Sequence, residues 1–575
     1  MALSLTMAGS MLFGCSAKPT PTAHAYTQGT YYATGTGLGG TIEFEVTFDA
    51  NSITDVSVLS HYESANIGGK ALTEYVDALL KDQDIAKVEA VSGATVTYDG
   101  FVEAMTSAVG QATGKEDVRQ HTDTQLSTED MEVNAQVLVV GCGYSGLVAA
   151  ISAAEEGVRV VVLEKGNSYA NCGHSITACN TPWQEATGQS DSVEALTRFW
   201  LGCGTALGCE TVDEEMIRFA AEQSASGIQW LTDQGVEFVG CTMAPTNPFQ
   251  SPFRTHVTTA SRNGQKAYME PLYNRAQELG IEILFDTTAT ELLQNDAGAV
   301  IGVKAANEAR TITVHADAVI LATGKQGEGQ GMAEAVGAHI TGNEEPMVSP
   351  SNMDGADGDY AGAAMYVTEE GTRFINEHHY FMHRAAYARS LGMHSYYGIF
   401  DSEMIDGATL ETGITNGSVV KADTIEELAG KLGMNADTLA NTVAKYNGYC
   451  DTGVDEEFGK PAEATGYVFD PDRANEYDVD SIEKVYHLLN RIDTAPYYAV
   501  TYVVPHTSNT NCTININTEV LDSAGSAIPG LYANGEVARA QIFGLIYPQS
   551  GVSLSFYLTY GRVAGQNAAK YAQSK

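Results

Sequence analysis

The stretch Val137-Leu-Val-Val-Gly141-Cys-Gly143-Tyr-Ser145-Gly146-Leu-Val-Ala-Ala150 limits this chain more than any other part of it. An apolar run suited to a buried strand leads into G-x-G-x-x-G and then into small, helix-forming residues. A second buried strand, Val158–Leu163, closes on Glu164, 18 residues beyond Gly146. Each glycine has a physical task in such a unit. Gly141 permits the tight turn, Gly143 lets a pyrophosphate approach the backbone, and Gly146 allows helix and strand to pack closely. Ser145 stands at the helix N-terminus that faces the phosphates, and Glu164 is placed to accept hydrogen bonds from ribose hydroxyls. The pattern predicts a Rossmann-like dinucleotide-binding domain of the α/β class.

Composition removes several alternatives. At 575 residues the chain is long enough for about three or four domains. Lys plus Arg number 31 against 72 Asp plus Glu, a formal net charge of −41, so there is no basic footprint for nucleic acid. A hydrophobic fraction of 44% with 18% charged residues fits a folded enzyme, not a disordered chain. The nine cysteines form no C-x-x-C or C-x-x-C-H, which leaves zinc ribbons, ferredoxin-type clusters and c-type haem without support. Cys203 and Cys209 are spaced so that they could bridge; buried free thiols are the alternative. His379 and His383 share i, i+4 spacing, but no acidic third ligand accompanies them and no metal is expected.

The expected organisation has six parts. Residues 1–25 hold an apolar segment followed by Leu12-Phe13-Gly14-Cys15, which resembles a lipoprotein cleavage box. It implies a lipid on Cys15 and an extracytoplasmic location at a bacterial membrane; an ordinary apolar tail is the other reading. Residues 26–113 form a small α+β unit that opens with the alternating strand Thr41–Phe48, continues through Ile53–Ser60 and turns helical near Lys70–Lys81. A polar linker, 114–132, follows. The dinucleotide domain occupies 133–349 and 501–575, with a capping domain inserted at 350–500.

Further motifs resemble the fumarate reductase/succinate dehydrogenase flavoprotein family. Glu164-Lys165-Gly and Gly173-His174-Ser175 are similar to its second phosphate loop and flavin loop. Ala318-Val-Ile-Leu-Ala322-Thr-Gly324 resembles its returning strand, Ile528-Pro-Gly-Leu-Tyr-Ala-Asn-Gly535-Glu536 its flavin-contacting strand, and Gly561-Arg-Val-Ala-Gly565 its closing helix. The resemblance covers about 133–570. It implies FAD, with Glu536 at the ribityl chain and with Lys165, Gly173, His174, Ser175, Ala322, Gly324, Gly535, Ser553 and Leu554 joining the fingerprint residues around the cofactor.

In the front unit, Val91-Ser-Gly-Ala-Thr95-Val-Thr97 precedes a helical stretch and reads locally as an N-cap. It resembles the FMN-binding domain of respiratory flavoproteins, in which FMN is esterified through its phosphate to the last Thr of S-G-A-T, here Thr95. His61–Lys70 fits that family's glycine loop. The family's motif usually opens with Asp three residues before the Ser; Glu89 stands there. The pairing of modules resembles the urocanate reductases and their relatives. It implies electrons passing from an external, membrane-associated or extracytoplasmic donor to FMN, then to FAD, then to an alkene.

The substrate loops depart from fumarate chemistry. The family's H-P-T position reads Ser349-Pro-Ser351, and the segment after Phe400-Asp401 lacks the proton-donating Arg. His506 is a remnant of H-H-T-M-G-G, and the N-R-L-G-G loop reads Tyr547-Pro-Gln-Ser550-Gly551. A dicarboxylate without its guanidinium partners would be buried unpaired, which is costly. Tyr547-x-x-x-Gly551 instead resembles the 3-ketosteroid dehydrogenases of the same superfamily, where a phenol and a backbone N–H bind a ring ketone. Arg373-Phe374-Ile-Asn376-Glu377 resembles the R-F-x-N-E loop, and Tyr380 follows it as a candidate proton donor. The expected activity is reduction of a neutral α,β-unsaturated carbonyl compound, steroid-like enones among the candidates, with Tyr547, Gly551 and Tyr380 as catalytic residues. Two alternatives stay open: reduction of an unsaturated acid gripped by Arg384 or Arg539, and electron transfer without alkene reduction.

Overall fold

The structure is a computed structural model that describes residues 26–575 except 62, 64–67, 92–93, 122–129, 187, 189, 243–252, 261–262, 309, 326, 345–363, 380, 406, 469–481, 505, 507 and 545. The chain divides into two compact units, 1–128 and 129–575.

In the first unit, Gly29–Thr36, Thr41–Phe48 and Ile53–Ser60 form an antiparallel three-stranded sheet. Alternating strand residues turn Phe44 and Val46 toward helices Gly68–Asp82 and Thr95–Ala112, where Tyr75, Leu79, Phe101 and Met105 complete the core. Part of the predicted linker is not loose. Residues 114–121 return along the sheet: the Arg119 N–H donates to Gln111 Oε1 at 2.7 Å, and the His121 ring pairs with the buried Glu43 carboxylate at 2.8 Å. These contacts are polar and therefore invisible to hydrophobic periodicity. Residues 122–129 lie outside the described residues.

The second unit is built on a sheet whose strands Glu282–Leu284, Val160–Leu163, Met131–Val140 and Thr311–Leu321 run parallel in that order. Ala527–Ala533 joins Thr311–Leu321 in parallel, with Val319 opposite Leu531. The first strand starts at Met131, two residues before the predicted domain edge, because Met131 already pairs with Ile312. Gly141, Glu164, Ala322 and Asn534 therefore follow the carboxyl ends of neighbouring strands, where such sheets bind ligands. Helix Val552–Gln573 packs along the fingerprint helix Tyr144–Glu155.

The capping segment contains an antiparallel sheet in the order Met365–Val367, Ser395–Phe400, Tyr497–Val503, Val419–Ala422. Its third strand crosses the predicted edge at residue 500 and ends at Val503. Helix Phe381–Ser390 lies in this segment. Cys203 and Cys209 do not bridge; both are free and half-buried. Burial pushes the Cys203 thiol up to about 12.

Candidate active site

A cavity of about 700 Å³ opens at the carboxyl ends of the parallel strands. Its walls include Gly141, Gly143, Ser145, Glu164, Lys165, Gly173, His174, Ser175, Ala322 and Gly324 from the dinucleotide half. Glu536, Tyr547, Gly551, Ser553 and Leu554 close it from the C-terminal segment. Gly146 and Gly535 lie behind this wall. A Cβ on Gly146 would fall 1.9 Å from the Gly141 carbonyl oxygen, so close helix–strand packing is what that glycine serves. Gly141 has φ +110, and a Cβ there would reach within 2.4 Å of the Ala322 carbonyl.

The donor set suits a flavin dinucleotide. Glu164 is fixed by two backbone donors, Cys142 N–H at 2.7 Å and Gly166 N–H at 2.8 Å, and remains on the cavity wall. Both carboxylate oxygens keep lone pairs for ribose hydroxyls. Lys165 reaches Glu328 at 2.8 Å, a residue that sequence reasoning missed. Glu536 accepts from the Tyr557 hydroxyl at 2.6 Å and from Arg539 Nη1. The 22-residue helix Val552–Gln573 begins at the cavity, so its N-terminal dipole favours electron-rich atoms there.

Tyr547 is 3% exposed, and its hydroxyl sits on the start of that helix. It accepts from the Ser553 N–H at 3.0 Å and shares a hydrogen bond with Ser553 Oγ at 3.0 Å. Gly551 has φ +91, and a Cβ there would press at 3.0 Å on the Ile176 backbone, so the loop needs glycine. Its N–H makes no hydrogen bond among the described residues, while its carbonyl accepts from Thr177 N–H at 3.1 Å. One phenol and one spare backbone N–H thus share the cavity wall.

The arginines named for an acid substrate are committed elsewhere. Arg384, 2% exposed, donates through Nη1 to the carbonyls of Glu377 at 2.9 Å and His379 at 2.8 Å and lies 4.7 Å over the Tyr366 ring. Arg539 lines the cavity, but Glu536 neutralises it. The R-F-x-N-E segment serves the cap's interior. Arg373 pairs with Glu377 and Asp455, and Lys460 stands 3.7 Å from Glu377. His506 is exposed, bonds the Met393 carbonyl at 2.8 Å, and is not on the cavity wall. Tyr380 lies outside the described residues.

Sequence reasoning also missed Thr287–Ala289, Met332, Met382 and Tyr557 on the wall. Tyr557 had a signal, since it falls four residues after Ser553 on one helix face. Met382 had none.

In the first unit, Thr95 is the exposed first residue of the 18-residue helix Thr95–Ala112, and no side chain caps that end. An exposed hydroxyl at a helix N-terminus suits a phosphate ester, because the first-turn N–H groups are unpaired within the helix. Nearby, the buried Glu63 accepts from Gly39 N–H at 2.7 Å and from Thr97 Oγ1.

Comparison with known proteins matches residues 136–554 to the FAD binding domain model and residues 37–110 to the FMN-binding domain model. The chain belongs to the FAD-binding domain family of flavoproteins. It is 29% identical to a urocanate reductase of Eggerthella lenta over 624 aligned positions, 97% of this chain and 96% of the relative. Its fold is similar to that of an open flavocytochrome c3 fumarate reductase, with TM-score 0.54 and 25% identity over 76% of this chain and 79% of the other. A 3-ketosteroid-Δ4-(5α)-dehydrogenase from Rhodococcus jostii shares the fold, with TM-score 0.58 and 24% identity over 76% and 97%. The chain is a FAD- and FMN-dependent oxidoreductase acting on CH–CH groups.

Proposed function

We propose that this flavoprotein reduces the C=C bond of a neutral α,β-unsaturated carbonyl compound. The observation that carries the reading is that Tyr547 and Gly551, whose N–H makes no hydrogen bond among the described residues, stand on one cavity wall whose Arg539 is paired with Glu536. FAD held by this cavity, once reduced, would supply the hydride that adds to the alkene β-carbon. The protein's part is to stabilise the negative charge that grows on the carbonyl oxygen as that bond forms. Two donors aimed at one oxygen do this in a dry site at little reorganisation cost. By accepting the Ser553 N–H, the Tyr547 oxygen leaves its own proton to be donated, either to Ser553 Oγ or to the substrate oxygen. Tyr380 is the proposed proton source for the α-carbon.

The competing reading is an unsaturated acid. It draws on Arg539 at the cavity wall and on the urocanate named for the Eggerthella relative. It requires Arg539 to turn N–H donors other than Nη1 to the substrate carboxylate, with Glu536 offsetting part of its charge. Anaerobic oxidation of a reduced dye, with enones, acrylates and fumarate offered in parallel, separates the two. Enone turnover supports the carbonyl reading; turnover of acids alone, lost in Arg539→Ala or Arg384→Ala, replaces it. Reduction of the flavins with no alkene able to reoxidise them would reduce the protein to an electron carrier.

The covalent FMN at Thr95, an external electron donor, and a lipid on Cys15 at the outer face of a membrane belong to the same proposal. Loss of fatty-acid labelling in Cys15→Ser tests the anchor.

A further inference from the structure

We propose that His383 is a positioning residue for Tyr547, tethering the cap helix Phe381–Ser390 to the loop that carries the carbonyl donors. The inference rests on the carbonyl reading of that loop. Helix Phe381–Ser390 delivers two consecutive side chains to the site. Met382 reaches the cavity wall shared with Tyr547, Ser550 and Gly551. His383 is not on that wall; its ring hydrogen-bonds the backbone of Tyr547 and Pro548. A side chain placed so is off the cavity wall, and its route to the site runs through the loop.

The loop calls for such a tether. Pro548 has no N–H to contribute to loop hydrogen bonding. The far half is held by Thr177, whose hydroxyl donates to the Ser550 carbonyl at 3.0 Å and accepts from Gln549 Nε2 at 3.1 Å. The near half carries Tyr547, and there the His383 ring meets the loop's two carbonyls. The tether's own base is rigid. Arg384 locks the turn ahead of the helix through the Glu377 and His379 carbonyls, and Asn376 Oδ1 accepts the His378 N–H at 2.9 Å. A rigid base, one ring and two carbonyls fix where the phenol oxygen points, and a misplacement of about 1 Å in such a donor costs on the order of a hundredfold in rate. Burial, with His379 and Arg384 beside it, holds the imidazole down at about 4, so the ring works as a neutral donor at ordinary pH.

The test combines a double-mutant cycle with hydrogen exchange, each on the full-length flavinylated protein. His383→Ala is expected to lower kcat about tenfold with KM within about twofold, and to cost less than about twofold more when added to Tyr547→Phe. His383→Asn or His383→Gln, which keep a donor, restore most of kcat. FAD content and thermal midpoint are measured for every variant. Amide exchange over 547–554, read without substrate, is expected to quicken in His383→Ala and to return toward wild type in the amide variant that rescues. Additive kinetic losses, or unchanged exchange in His383→Ala, overturn the tether. Full enone activity in Tyr547→Phe overturns the carbonyl reading alone, and the exchange result then still decides the tether.

Discussion

On the proposed carbonyl reading Tyr547 concentrates the chemistry, because the oxygen that accepts from the helix start would keep its own proton for the substrate. Tyr547→Phe removes the donor while leaving the ring in place. It is expected to lower kcat by about 10²-fold with a much smaller change in KM, as steady-state kinetics on the preferred alkene will show. Gly551→Ala tests the backbone instead. With φ +91 and the Ile176 backbone 3.0 Å away, a methyl group has no room, and of order 1–3 kcal/mol of strain is expected together with lost FAD, read by denaturant unfolding and by flavin absorbance. That both positions belong to one loop was legible in the sequence, since Tyr-x-x-x-Gly is a local pattern, and the structure has both on the cavity wall. Arg539 was not. Nothing in Glu536-Val-Ala-Arg539 says that the guanidinium turns back on its own neighbour, because ion pairing is settled by the packed backbone around it.

At the level of elements, what the sequence showed depended on whether the signal was periodic. The strand Val137–Val140, its helix and the strand ending at Glu164 are continuous apolar and glycine patterns, and the structure has them. The returned segment 114–121 reaches back to Gln111 and Glu43 through polar contacts, and helix Phe381–Ser390 packs Ala385 and Ala388 into the cap core while Arg384 holds the carbonyls just ahead of it; no local pattern announces these. The helix Thr95–Ala112 offers a direct test: Thr95→Ala should remove flavin fluorescence from the denatured protein band while leaving the unit folded, because Thr95 is exposed and uncapped. Buried rings carry part of the acid sensitivity. His256 is fully buried, bonded to Thr181 Oγ1 at 2.6 Å and to the Arg254 carbonyl at 3.1 Å, and burial holds it at about 4. The folded state keeps the neutral ring while the unfolded chain titrates near its ordinary value. Stability is therefore complete above about pH 6.5 and lost as pH falls toward 4, by up to about 3 kcal/mol. His383 has the same sign. Urea midpoints at pH 7 and pH 4.5 measure the loss, and His256→Gln should shrink it.

Over the whole molecule, the formal charge of −41 selects among electron donors before any contact is made. A cationic viologen is expected to reduce the flavins faster than an anionic dye of matched potential. The difference should shrink as salt rises past about 0.15 M, where screening shortens to about 8 Å, and stopped-flow traces at low and high salt check this. The cavity has a separate consequence. Its wall draws on residues within 140–175, 287–289, 322–332, 382 and 536–557, so nearly the whole second unit must exist before the pocket does. A ribosome that has made only the fingerprint has built a phosphate cradle without its opposite side, whereas the front unit is complete by residue 128. FAD retention is thus expected only once the last helix has been made, and a nascent chain halted ahead of Ser553 should fail to keep the cofactor.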